Sequence, residues 1–322
     1  MINISNKIIN SIFYFIIFIF IKTIYIKYCN YITFNRLNKL FPKKIKWEED
    51  CKIYSVAMPK FFTNSKKKKC ILFISGYRDI PYIWSEILSY FKKDNIDYYA
   101  PRTHGNGRSF FQDVEPDDWI ITYLEAIHTL EDMYEEIDII AFSTGCVIAL
   151  YLSQFNFKCK INNIILCAPF LLKNEGIIDY FLFNSYLSYI INPLLELIFS
   201  LRIKTPEIGF KYVRDTHYDK NGETDFYELC GFIKQEIKLM KFKNLRPTNI
   251  NANNITILYP NDDQIIGNIY KQHDIIHNIF KKDIDIICIP SDSNMKCGHV
   301  MFKENKYIIK NIYSHFYKII NI

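Results

Sequence analysis

Ile137-Asp138-Ile139-Ile140-Ala141-Phe142-Ser143-Thr144-Gly145 is the stretch on which the fold of this 322-residue chain turns. A β-branched run ends in small-x-Ser-x-Gly and passes directly into a helix-like segment, Val147 to Gln154. Strand, tight turn and helix in that order make a nucleophile elbow, which lifts a serine hydroxyl from the end of a buried strand. The small neighbours have a steric reason, because the serine backbone is strained and larger side chains at Ala141 or Gly145 would collide across the turn. The first position is more often Gly than the Ala found here, and the pentapeptide alone also reads as a helix N-cap, so the surrounding chain carries the decision.

Outward from the elbow, short β-rich runs alternate with amphipathic stretches, the pattern of a mainly parallel sheet covered on both faces by helices. The expected strands are Lys52 to Ala57, Cys70 to Ser75, Asp97 to Ala100, Ile137 to Phe142, Asn163 to Ala168, Ile255 to Tyr259 and Ile284 to Ile289. Helices are expected over Tyr82 to Lys92, Trp119 to Tyr134, Val147 to Gln154, Ile265 to Phe280 and Lys306 to Ile319. The α/β core thus divides into residues 50–170 and 255–322, with 171–254 too long for an ordinary connection and read as an inserted helical lid. Its first half is rich in apolar residues, from Tyr180-Phe181-Leu182-Phe183 to Leu197-Ile198-Phe199, broken by Asp179, Asn192, Pro193 and Glu196.

Ahead of the core, residues 1–28 form a hydrophobic segment: Ile8 to Ile21, extended by Ile24, Tyr25 and Ile26, approaches the roughly 20 residues of a membrane-spanning helix. A helix lying in the membrane plane is the alternative. Lys22, Lys27, Arg36, Lys39, Lys43, Lys44 and Lys46 follow the segment and only Lys7 precedes it, which places the remainder on the cytosolic side. The expected location is therefore membrane-associated, with the folded domain in the cytosol.

Composition narrows the function classes. The net charge of +6 is spread along the chain and forms no basic, aromatic-interleaved stripe, so nucleic acid is not an expected partner. Nine cysteines show no Cys-x-x-Cys pair and fall largely in apolar runs, as buried thiols of a reducing compartment do. The histidines His128, His217, His273 and His277 show no ligand spacing, so neither metal nor cofactor is expected. Ten glycines are few for this length, and Gly76, Gly105, Gly107, Gly145 and Gly298 all stand in loops that follow expected strands.

A serine nucleophile needs a base, a carboxylate to orient it and donors for an oxyanion. After the strand ending at Tyr259 come Asp262 and Asp263, and after the strand ending at Ile289 comes Gly298-His299. Ser143, an aspartate and His299 stand in the chain order of an α/β-hydrolase.

On these residues the chain resembles the α/β-hydrolase superfamily over about residues 50–320, and within it the branch of monoglyceride lipases, lysophospholipases and carboxylesterases. Ile71-Leu72-Phe73-Ile74-Ser75-Gly76-Tyr77 is similar to the family strand that ends in His-Gly, with Ser75 in the histidine position. Arg102-Thr103-His104-Gly105-Asn106-Gly107-Arg108-Ser109 resembles the loop usually written Arg-Gly-His-Gly-x-Ser. The resemblance implies Ser143 as nucleophile, His299 as general base and acid, and Asp263 as orienting acid, with Asp262 as the alternative. It implies an oxyanion hole from the amides of Tyr77 and Thr144. It further implies hydrolysis of carboxylic esters, with the apolar insertion favouring a hydrophobic ester or lipid such as a monoacylglycerol or lysophospholipid. A thioesterase or acyltransferase would use the same triad, and a catalytically silent binder of lipid or protein would share the fold.

Overall fold

A computed structural model of the chain describes residues 57–64, 68–76, 79–104, 116–171, 251–263, 266, 268–280, 283–290 and 297–320. The hydrophobic segment 1–28 and almost all of the expected lid lie outside these residues, as does the expected strand Lys52 to Ala57 except for Ala57, which is not in a strand. Among the described residues, no helix is long and apolar enough to cross a membrane.

Among the described residues, seven strands form one sheet in the order β1-β3-β2-β4-β5-β6-β7. They are β1 Lys60–Phe62, β2 Lys69–Ile74, β3 Tyr98–Ala100, β4 Glu136–Phe142, β5 Lys160–Cys167, β6 Ala252–Pro260 and β7 Asp285–Ile289. Only β1 runs antiparallel, against β3; every other pair is parallel. The central strands KCILFI and EIDIIAF are buried along nearly their whole length, the near-continuous apolar pattern of strands covered on both faces. Short β1 was absent from the expectation, and β6 begins three residues before the expected Ile255, because its first residues Ala252-Asn253-Asn254 lack an apolar run.

Between the strands lie α1 Ser85–Lys93, α2 Pro116–Glu131, α3 Gly145–Leu152, α4 Ile269–Phe280 and, last, α5 Lys306–Ile320. The connection from β2 to β3 moves one way along the sheet, whereas those from β3 to β4, β4 to β5 and β6 to β7 move the other. Right-handed crossovers then set α1 on one face and α2, α3 and α4 on the opposite one. Helix α5 joins α1: Tyr313 packs on Tyr90 and Phe91, with ring centroids 5.1 and 5.0 Å apart. Helix α3 is buried on all sides, which fits its sequence GCVIALYL. Helix α4 starts at Ile269, later than the expected Ile265. Asn268 caps it, its Oδ1 accepting the Tyr270 and Lys271 amides at 2.9 and 3.2 Å.

The strands' C-terminal ends share one edge, and β2 and β4 are the neighbours whose outgoing connections part in opposite directions. In open parallel sheets that switch point is where ligand sites form. There the chain crosses itself closely. A Cβ placed on Gly145 would sit 2.5 Å from the Ser75 carbonyl oxygen and 2.7 Å from that of Ile74, both rigid backbone atoms.

At the opposite ends of the strands a buried polar network ties the sheet to α5. The Asp138 carboxylate is fully buried in β4. It pairs with Lys69 Nζ at 2.7 Å and accepts Asn163 N and Nδ2 at 3.0 and 2.9 Å. Burial pushes its pKa up, and the Lys69 and Asn163 contacts oppose that shift. Lys69 Nζ also donates to the Ile320 carbonyl at 2.8 Å, in the last turn of α5.

These contacts make three stability predictions. Lys69→Met strands the Asp138 charge in the interior and should lower the urea-unfolding free energy by about 3–5 kcal/mol; a loss below about 1 kcal/mol would contradict the account. Gly145→Ala should cost about 1–3 kcal/mol by overpacking against backbone. By contrast, Gly298→Ala should change stability by less than about 0.5 kcal/mol, because the nearest atom to its added Cβ would be Glu304 Oε1 at 3.5 Å.

Candidate active site

Ser143 follows β4 directly and has φ of 52°, in the left-handed region that side-chain-bearing residues seldom occupy. The conformation is held on several sides. Ser143 N donates to the Cys167 carbonyl at 2.9 Å, and the Ser143 carbonyl accepts Cys146 N at 3.0 Å and Phe170 N at 3.2 Å. Val147 N bonds the Thr144 carbonyl at 3.1 Å, which starts α3. Ala141 fits fully buried in β4 between Ile74 and Leu166, and the Cys146 thiol points at its carbonyl at 3.3 Å. An Ala at the first elbow position and a Cys after Gly145 are thus both accommodated in the floor of the turn.

Three of the residues singled out in sequence meet at this edge. Ser143 Oγ lies 3.0 Å from His299 Nε2, and His299 Nδ1 lies 2.7 Å from Asp263 Oδ2. An ionised carboxylate can only accept, so Nδ1 carries the hydrogen and Nε2 is left to accept from the serine hydroxyl. The pair is screened from water, with side-chain exposures of 10% for His299 and 2% for Asp263. The other oxygen of Asp263 accepts the Ile266 amide at 3.1 Å, which fixes the carboxylate plane. Asp262, the alternative, is exposed on the same turn. Neither aspartate caps α4.

The histidine ring rests on aromatic side chains. Phe142, immediately before the serine, lies 5.1 Å from His299 between ring centroids and 5.3 Å from Phe302, and Phe302 lies 4.5 Å from Trp84. On the β2 side, Ser75 Oγ accepts Trp84 Nε1 at 2.9 Å, and Ser75 N donates to the Tyr123 hydroxyl at 3.0 Å. Tyr123 in turn shares a 2.6 Å hydrogen bond with Thr103. Burial pushes the Tyr123 phenol up to about 12, so it stays neutral. This network occupies the place where the family resemblance led one to look for a histidine. The apolar flank of α2 gave no sign that Tyr123 would reach back to the β2 turn.

Gly76 faces the serine: a Cβ on it would lie 3.1 Å from Ser143 Cβ and 2.6 Å from Asp79 Oδ2. Thr144 is buried and stands at the N-cap of α3, where the first amides of a helix lack internal acceptors. Tyr77, its expected partner in an oxyanion hole, lies outside the described residues, as do Gly105 to Ser109. His104 is buried, its backbone amide held by Thr122 Oγ1 at 3.2 Å; burial lowers its pKa, the neighbouring Asp118 opposing, and favours the neutral ring. Cys297, two residues before His299, is fully buried, and burial followed by the nearby Glu304 carboxylate raises its thiol to about 12. It is a packing residue rather than a nucleophile. Among the described residues, no group of three or more His, Cys, Asp or Glu side chains could hold a metal ion.

No protein-family model and no curated protein matches the chain. Solved structures do. A structure from the metagenome-derived lipolytic enzymes LipS and LipT superposes with a TM-score of 0.58 at 15% identity, covering 83% of this chain and 100% of that one. A monoacylglycerol lipase from Paleococcus ferrophilus gives 0.56 at 12% identity, with 83% and 99% covered. A soluble variant of monoglyceride lipase from Saccharomyces cerevisiae, in complex with a substrate analog, gives 0.55 at 14% identity, with 86% and 97% covered. At such identities the likeness speaks to architecture. Together with the strand order and the placement of Ser143, Asp263 and His299 at one sheet edge, it shows that this chain has the α/β-hydrolase fold.

Proposed function

We propose that the protein is a serine hydrolase that cleaves carboxylic esters through an acyl-enzyme. The observation that carries this reading is the hydrogen-bonded line from Ser143 Oγ through His299 to Asp263, with contacts of 3.0 and 2.7 Å. As Ser143 Oγ attacks the ester carbonyl, His299 Nε2 takes its proton. Asp263 holds the Nδ1 hydrogen and stabilises the imidazolium that forms. The proton then passes from Nε2 to the departing alcohol, leaving the acyl group on Ser143. A water, deprotonated by the same nitrogen, attacks that acyl carbonyl and releases the acid. The amide of Thr144, at the positive end of α3, is the donor we assign to negative charge on the carbonyl oxygen, as the family resemblance implies. The second oxyanion donor is assigned to Tyr77 from the family resemblance alone.

A hydrophobic ester, of the monoacylglycerol or lysophospholipid class, is the substrate we favour. Support comes from the apolar sequence over Ile177 to Ile203 and from the lipolytic enzymes among the structural neighbours. The sequence over Ile8 to Ile26 would hold the domain at a membrane, on the cytosolic side, where such substrates reside.

Two measurements test this reading. With p-nitrophenyl esters from acetate to decanoate, kcat/KM should rise with chain length. Ser143→Ala should lower it by about 10⁴-fold or more and Asp263→Asn by about 10³–10⁴-fold. A rate that falls with chain length would overturn the lipid assignment, and an unimpaired Ser143→Ala would overturn the mechanism. Deleting residues 1–28 should abolish flotation with liposomes; retained flotation would assign membrane binding to another part of the chain.

A further inference from the structure

We propose that Lys303 is a positioning residue that sets where His299 meets Ser143. This rests on the reading of Ser143, His299 and Asp263 as a triad, and it goes beyond that reading by assigning a role to a side chain outside it.

His299 lies between β7 and α5, in the described stretch 297–305. Within it, one short 3-10 turn, Met301–Lys303, supplies the local regularity, through the Lys303 amide on the Val300 carbonyl at 3.0 Å. Glu304 closes the segment upon itself, its Oε1 accepting the Gly298 amide at 3.0 Å. Lys303 reaches the other way, across to a different part of the chain. Its ammonium donates to the Tyr82 carbonyl at 2.9 Å and to Ser85 Oγ at 3.0 Å, and it lies 3.9 Å from the centroid of the Tyr82 ring. Tyr82 belongs to the 3-10 turn Pro81–Trp84 and Ser85 opens α1, so both acceptors lie on the segment that follows β2.

That segment also adjoins the nucleophile. Trp84 packs on Phe302 and, at 6.3 Å, on Phe142, the residue before Ser143. The apolar burial behind such contacts is non-directional, so it holds a separation but tolerates sliding. The Lys303 bonds are directional and supply the missing coordinate. A slip of the His299 turn by a fraction of an ångström lengthens the Nε2 contact with Ser143, and proton transfer is sensitive to displacements on that scale.

The charge of Lys303 adds a pH dependence to these contacts. Burial drives the Lys303 ammonium down to about 8, while Glu86 on α1 and Asp79 ahead of the Pro81–Trp84 turn pull it back up. In the unfolded chain the same group would keep its proton up to the ordinary lysine range. Because the folded state gives up the proton first, this group's contribution to stability improves as pH climbs from about 8 towards that range, and at neutral pH the charge works against folding.

The test uses the full-length protein and p-nitrophenyl butyrate. Lys303→Met should lower kcat about tenfold with KM unchanged within twofold, and its midpoint of thermal unfolding should equal or exceed that of the wild type at neutral pH. Lys303→Arg, which keeps a cation and donors, should recover kcat to within threefold of wild type. A readout independent of turnover is the low-field proton resonance of the His299–Asp263 hydrogen bond, sharp in wild type and broadened in Lys303→Met. Lys303→Met with wild-type kcat and a sharp resonance would overturn the proposal, as would a loss of kcat matched by a lower unfolding midpoint. If wild type and Ser143→Ala are equally inactive, the triad reading fails instead, and the resonance alone decides for or against Lys303.

Discussion

The left-handed backbone of Ser143 is the constraint on which the rest of the site depends. At φ of 52° the residue is strained, and the strain persists because Ser143 donates to Cys167 and accepts from Cys146 and Phe170. The turn also needs the chain to pass within 2.5–2.7 Å, measured from a hypothetical Cβ of Gly145, of the carbonyls that end β2. Glycine at 145 is what lets α3 start so close to β2. From that closeness follow the placement of the serine at the sheet edge, directly before α3, and the narrow gap to Gly76.

The two buried carboxylates of the sheet illustrate how position decides role. Asp138 lies within β4, bonded to Lys69 and Asn163, and links strands to the final helix at the edge remote from the serine. Asp263 lies just beyond β6, bonded to one amide and one imidazole, and faces the serine edge. Both carboxylates are shielded from water; only the second is bonded to an imidazole, whose other nitrogen meets a hydroxyl. The Cys70, Cys146, Cys167 and Cys297 thiols are quiet by contrast, since burial raises each well above the range in which a thiolate forms.

Much of this was legible in the chain itself. The β4 run, the elbow and α3 are contiguous, and their signals are local: β-branched periodicity, a small-x-Ser-x-Gly turn and an apolar helix. His299 and the aspartate pair could be located because each follows a strand that reads clearly. What local patterns could not settle was decided by tertiary contacts. Asp262 and Asp263 are adjacent and chemically alike, and only the turn after β6 aims one of them inward. Helix α4 was expected to begin at Ile265, but the Ile266 amide is taken by Asp263, and Asn268 starts the helix a turn later. Asp138 sits inside an apolar run and gave no hint of its partner Lys69, far away in sequence and one strand across. Lys303 and Glu304 carry no sequence signal beyond two charges ahead of the last helix; their contacts exist only because the turn folds back on Gly298 and across to Tyr82.

The central claim is that Ser143 is a nucleophile activated by His299, and covalent labelling tests it without any assumption about the natural substrate. A fluorophosphonate probe should phosphonylate the native protein on the peptide that contains Ser143, as located by mass spectrometry. Labelling should vanish in Ser143→Ala and after urea unfolding, and fall strongly in His299→Ala. Equal labelling of wild type and Ser143→Ala, or none in a folded wild-type protein, would contradict the account.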